Sequence, residues 1–220
     1  MGHPARAHLE SLLRTRKLDV TLTSAAPWRE RSFDAAATGM AAIDEALGGG
    51  LRRGHVSEIV GPRSSGRTTL VCSALAEAAA RGEMTALIDT SDRFDPGSAA
   101  EAGVDLSRLL WMRERGDAAR ALKATNLVLQ AGGFGLVVFD LADVPAREVR
   151  QYPATTWMRL ARVIEGTQTV ALLVGAERIA RSPGGVTLAL GAPTPRWSGT
   201  GDRARILRGV DVQARVVAAR

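Results

Sequence analysis

The chain has 220 residues, 45% hydrophobic and 24% charged, a balance that predicts one folded domain with short extensions rather than a disordered segment. Its formal charge of +6 is carried almost wholly by arginine, Lys17 and Lys123 being the only lysines; the surplus suits nucleic acid or an acidic protein, and follows equally from a biased base composition in the source genome. The lone Cys72 excludes an intrachain disulfide, His3, His8 and His55 lack metal-ligand spacing, and no apolar run is long enough for a membrane span or, in residues 1–16, for a signal core, so a cytoplasmic protein without a membrane partner is expected.

Residues 4–17 read as a helix with a narrow stripe of Leu9, Leu12 and Leu13 among Arg6, Glu10, Arg14, Arg16 and Lys17. A helix this short needs something to lie against. Residues 21–37, with Pro27 and Trp28, read as a linker or extended arm that docks on its own domain or on a second copy. The chain is therefore divided into an N-terminal helix and arm, 1–37, and a core with a basic, β-rich extension, 38–220.

From Thr38 the pattern becomes α/β. Strands are expected at 56–60, 85–89, 109–112, 136–139 and 170–174, and helices at 68–81, 117–130 and 155–165. Nearly continuous apolar strands alternating with helices predict a mostly parallel sheet flanked by helices. Residues 186–190, 204–207 and 210–218 read as β segments that extend this sheet as C-terminal hairpins. Cys72, Trp111, Trp157, Met84, Met112 and Met158 are expected to pack in the core.

Between the first strand and its helix lies Gly61-Pro62-Arg63-Ser64-Ser65-Gly66-Arg67-Thr68-Thr69. Glycines at this spacing let backbone N–H groups curl around phosphate oxygens at a helix N-terminus. Thr68 stands where a hydroxyl would bind magnesium, and Asp140 ends an apolar strand in the manner of a Walker B carboxylate. These residues mark a site for ATP with Mg2+, with Thr68 and Asp140 on the metal. Position 67 is Arg where such loops carry Lys. A planar fork there either holds a phosphate bidentately or fills the pocket itself. Arg63 either touches phosphate or faces water.

The segment from Thr38-Gly39-Met40 through Gly48-Gly49-Gly50-Leu51, then Glu58-Ile59-Val60-Gly61-Pro62 with Ser64-Ser65-Gly66, then Ile88-Asp89 through Asp95-Pro96 and Gly103-Val104-Asp105-Leu106, resembles the core of the RecA superfamily in order and spacing. The resemblance runs from about Thr38 to Gly175. It implies a RecA-like phosphate-loop core, nucleotide with magnesium, and assembly through an N-terminal arm. The departures concern catalysis. The position of the family's water-orienting glutamate is Ser91, with Asp92 beside it, and the Asn-Gln switch pair is replaced by Gly175-Ala176. The two DNA-binding loop intervals look short, and the large C-terminal domain of RecA has no counterpart in these residues. A short, degenerate RecA-like sequence of this kind is similar to the ImuA family. That likeness implies a DNA-damage-response accessory protein supporting mutagenic translesion synthesis, with RecA and ImuB as partners and weak or absent ATP hydrolysis. An active DNA-dependent ATPase and a SulA-like cell-division inhibitor are the competing readings.

Arg196, Arg203, Arg205, Arg208, Arg215 and Arg220 with Trp197 form a basic C-terminal stretch. It reads as a solvated face or as a contact for single-stranded DNA.

Overall fold

The computed structural model describes residues 34–180, 185–201 and 203–218. The helix expected at 4–17 and the arm up to residue 33 lie outside the described residues. The description opens with β1 (Ala35–Ala36), which pairs antiparallel with β2 (Leu51–Arg52) around α1 (Ala41–Ala46). The remaining elements are β3 (Val56–Val60), α2 (Arg67–Ala80), β4 (Met84–Asp89), α3 (Pro96–Glu101), β5 (Leu109–Arg113), α4 (Ala118–Ala131), β6 (Phe134–Asp140), α5 (Ala146–Val149), α6 (Ala154–Ile164), β7 (Val170–Gly175), β8 (Val186–Leu190), β9 (Thr194–Ser198), β10 (Ile206–Asp211) and β11 (Ala214–Ala218). The chain is α/β, as the alternation of apolar strands and helices requires.

A seven-stranded sheet in the order β11-β8-β3-β7-β6-β4-β5 forms the centre. All its neighbours are parallel except β11, which runs antiparallel to β8. Strand β7 is buried at every residue, and β3 likewise. Strands with two covered faces have no polar side, which is why they read as continuous apolar runs. One face packs Ile59, Leu87, Leu172 and Leu188 against Leu70, Ala74, Leu75 and Ala78 of α2. The other packs Phe139, Val137 and Leu173 against α4 and α6, through Ala121, Val128, Trp157, Leu160 and Ile164. Because the strands are parallel, the loops after β3, β4, β6 and β7 share one edge of the sheet, where α/β folds hold ligands.

The C-terminal segment divides where a single extension of the sheet was expected. Strands β8 and β11 join the sheet, but β9 and β10 form a separate two-stranded ribbon. Strand β9 carries Pro195 and no apolar alternation, which hid it from pattern reading. Cys72 and Trp157 are buried as expected, whereas Met84 and Met158 are exposed at 42% and 48%. Trp111 is half-buried, because β5 is an edge strand.

One polar residue organises the interior. Glu58, in the middle of β3, is 3% exposed. Its Oε2 accepts hydrogen bonds from the N–H groups of Ile179 (2.7 Å) and Ala180 (3.1 Å), and its Oε1 accepts from the Thr187 hydroxyl (2.9 Å). A buried carboxylate holding three donors fixes the chain after β7 against the sheet, and removing it orphans those donors. Glu58→Ala is expected to destabilise the fold by about 3 kcal/mol and Thr187→Val by about 1 kcal/mol, as read from urea denaturation midpoints at constant slope.

Candidate functional site

The loop after β3 is held in a compact turn by its own backbone. The Ser65 N–H donates to the Pro62 carbonyl (3.3 Å), and Leu70 N–H closes the first helical turn on Gly66 O (3.0 Å). Ser64 and Gly66 both adopt left-handed conformations, at φ 60 and φ 92. Glycine suits the second position for a further reason: a Cβ on Gly66 would lie 2.6 Å from Cγ2 of Val212. At Gly61 a Cβ would meet Ser65 Oγ at 2.6 Å and the Leu190 carbonyl at 2.8 Å. Gly66 is the N-cap of α2 and no side chain caps that helix. The N-terminal amides of a 14-residue helix therefore face the loop without a side-chain partner, the arrangement that attracts anions.

Thr68 and Thr69 are exposed on the first turn. The buried side-chain hydroxyls without a hydrogen-bond partner, among the described residues, are Ser65 Oγ and Thr90 Oγ1. Thr90 directly follows β4 and Ser65 lies in the loop after β3, so polar capacity is unmet at the same sheet edge. From Thr68 and Thr69 an apolar groove of about 820 Å3 runs beside α2 to Met40, Phe94 and Ser98. On the other side of the loop, Ser64, Gly66, Arg67, Thr68 and Thr69 share a cavity of about 440 Å3 with Pro193, Val210 and Val212.

Arg67 turns inward. It is 9% exposed, and its Nη1 donates to the Gly175 carbonyl at 2.9 Å. The Gly61 N–H donates to the same oxygen at 3.3 Å. The contact draws the side chain beneath the loop, toward the end of β7. Arg63 is exposed, and its Nη2 meets Asp143 Oδ1 at 3.0 Å, bridging the phosphate loop to the turn after β6.

Asp140 ends β6, and its Oδ1 accepts the Ala142 N–H at 2.8 Å. Burial pushes its carboxyl up to about 6; the Ala142 hydrogen bond opposes this, the charges of Asp89 and Asp143 reinforce it, and Arg67 offsets part. Asp89, at the end of β4, is buried and accepts from the Arg93 and Phe94 N–H groups (3.0 and 2.8 Å) and from Trp111 Nε1 (3.3 Å). The neighbouring Asp92 sits in a left-handed turn, φ 57, and holds Arg113 through both oxygens at 2.6 and 2.9 Å. Arg113 lies over the Trp111 ring at 4.7 Å and keeps the Asp92 carboxyl below the usual range. Asp92 is thus aimed at the β5 edge. Sequence reading missed Asp89 and Asp143 as part of this edge, although each lies within a few positions of a residue it singled out.

A family model of the RecA N-terminal domain matches residues 21–159, the stretch that holds the phosphate loop, Asp89 and Asp140. The chain belongs to the RecA N-terminal domain family. It is 40% identical over 150 residues to Protein RecA of Chlorobium chlorochromatii, covering 66% of this chain and 41% of that protein. It is 44% identical over 116 residues to Protein RecA of Chlorobaculum tepidum, covering 51% and 33%, and 42% identical over 115 residues to Protein RecA of Clavibacter michiganensis, covering 51% and 32%. The chain thus spans well under half the length of these RecA relatives. No helix among its described residues is long and apolar enough to cross a membrane.

The Asp140 shift sets a pH dependence for this RecA-family core. Its folded pKa of about 6 lies above the ordinary carboxylate value of 3.8, so the native state holds a proton that the unfolded chain has released. The resulting stability is present in full below about pH 4 and is lost as pH rises through about 6. Asp140→Asn is expected to remove this component: relative to wild type, its Tm gains progressively between pH 4 and pH 7, as followed by thermal melts across that range.

Proposed function

We propose that this chain is a RecA-like accessory protein that keeps a phosphate-binding loop without a working ATPase engine. It acts in the bacterial DNA-damage response, supporting mutagenic translesion synthesis by contacting RecA and ImuB, as its likeness to the ImuA family implies. The observation that carries the reading is the inward turn of Arg67. The side chain at the position of the outer-phosphate lysine turns one of its N–H donors, on Nη1, to the Gly175 carbonyl.

A nucleotide polyphosphate fits the loop itself. The amides from Gly66 to Thr69 would hold the phosphates, and the exposed hydroxyl of Thr68 with the carboxylate of Asp140 would hold magnesium. No cluster of three His, Cys, Asp or Glu side chains is placed to bind a metal among the described residues, so such an ion would take the rest of its ligands from phosphate oxygens and water. Bound magnesium would supply charge neutralisation between the outer phosphates. The groove from Thr69 to Phe94 offers an apolar wall for the base.

What supports loss of turnover is the state of the carboxylates. Ser91 occupies the water-orienting position and has no carboxyl group. Asp92 is closed by Arg113, and Asp89 is fully engaged by backbone and Trp111. A general base contributes about 10²- to 10⁴-fold and a preorganised electrostatic clamp about 10²- to 10³-fold. Their joint absence lowers turnover by several orders of magnitude. The partner surfaces are the basic C-terminal ribbon, for single-stranded DNA, and the N-terminal arm, for RecA or a second copy.

The deciding measurement is nucleotide binding and turnover with and without single-stranded DNA, using wild type, Arg67→Lys and Arg67→Ala. Wild type is expected to bind nucleotide with hydrolysis at background. Arg67→Lys is expected to tighten binding about tenfold and to leave hydrolysis low, since no base is restored. DNA-stimulated hydrolysis by wild type, abolished by Thr68→Ala or Asp140→Ala, refutes the reading and makes the chain an active ATPase with Arg67 as its phosphate ligand.

A further inference from the structure

The β9–β10 ribbon stands apart from the sheet and touches the phosphate loop only at its root. Its register pairs Leu207 with Trp197 and Val210 with Pro195. Trp197, Ile206, Leu207 and Val210 are exposed at 49%, 57%, 50% and 47%. Two short links lead into it, residues 191–193 and 212–213, neither of which is strand. The root is clasped by the Gly191 N–H on the Gln213 carbonyl at 2.9 Å and by Gln213 Nε2 on Thr194 Oγ1 at 2.7 Å. Below that clasp, β8 and β11 are locked in the sheet from Val186↔Ala218 to Leu190↔Ala214. Rotation of the ribbon is therefore confined to the links.

Three facts make the root more than a neighbour of the loop. Val212 fills the place a side chain on Gly66 would take, 2.6 Å from its Cβ position. The wall that the ribbon side adds over Ser64, Gly66, Arg67, Thr68 and Thr69 consists of Pro193, Val210 and Val212. None of these side chains can donate a hydrogen bond. The wall thus sets an apolar surface against the first turn of α2, from Gly66 to Thr69, a pairing that favours neither side and disfavours any anion placed between them. A wall evolved only to hold phosphate would offer donors.

We propose that the β9–β10 ribbon is a hinged cap on the phosphate loop: its root lies closed in the free chain, and nucleotide enters when the root withdraws. The proposal rests on the reading of this loop as a nucleotide site. A closed state that excludes nucleotide lowers apparent affinity by the fraction of molecules that are open. Trimming Val210 and Val212 weakens the closed state without adding a phosphate ligand, and so raises affinity. A mere structural role for the root predicts the opposite, since a loosened loop binds less well.

The experiment compares wild type, the double variant V210A/V212A and the control Ile206→Ala, whose change lies on the outer part of the ribbon. Two readouts are taken on the full chain: affinity for a fluorescent ATP analogue with Mg2+, and hydrogen exchange of the amides from Ser65 to Thr69 without nucleotide. The cap predicts about tenfold tighter binding and faster loop exchange in V210A/V212A, with Ile206→Ala unchanged in both. Equal or weaker binding by V210A/V212A overturns the cap. Absence of nucleotide binding in every variant overturns the nucleotide reading and the cap's role with it; faster exchange in V210A/V212A then assigns that failure to the loop rather than to the ribbon.

Discussion

The Gly175 carbonyl accepts the Gly61 N–H and the Arg67 guanidinium together, and this shared acceptor ties the phosphate loop to the end of β7. A lysine has one compact ammonium on a flexible stem and leaves its charge where the ligand is; an arginine's rigid fork reaches further and can be claimed by a backbone oxygen. Here the claim is made beneath the loop. The same guanidinium stands near Asp140 and offsets part of the rise in its pKa. Arg67 therefore acts as internal counter-charge to Asp140 and as a strut between the start of α2 and the end of β7.

Such internal engagement extends along the sheet edge. Asp89 is engaged by Arg93, Phe94 and Trp111, Asp92 by Arg113, and Asp143 by Arg63 with Arg93 nearby. Asp140 is raised by burial and by its acidic neighbours. A hydrolytic site needs one carboxylate left ionised, mobile and aimed at water. Asp89, Asp92 and Asp143 are held internally, Asp140 accepts the Ala142 N–H through Oδ1, and the Ser65 and Thr90 hydroxyls are without hydrogen-bond partners.

Much of this was legible beforehand, for a physical reason. Buried parallel strands must be apolar on both faces, so β3, β4, β6 and β7 announced themselves, and the glycine spacing of the loop could be read from the steric demand it answers. The direction of Arg67 could not, since a side chain of that length reaches several acceptors and only the strand order places Gly175 O beside it. Asp92 offers a similar lesson. Adjacency to Ser91 alone does not fix its direction; the left-handed turn and the cation of Arg113, held over Trp111, decide where it points. Glu58 did leave a signal, a charge inside an apolar strand, whose meaning depends on donors more than a hundred residues away. C-terminal hairpins were expected, but their strand β9 was missed because it lacks alternation.

The family match ends at residue 159, before β7 and before the ribbon. Within it lie the turn, the helix N-terminus and Asp140, features that make a phosphate pocket. Outside it lie Gly175, which takes Arg67, and Val212, which takes the space over Gly66. The likeness to RecA therefore describes the pocket, while the contacts that modify the pocket come from later sequence. Two independent closures act on one loop: a cation drawn inward from below and an apolar wall laid on from the side. Neither needs the glycines of the turn to change, and a chain selected against all phosphate binding would have had the simpler course of losing them.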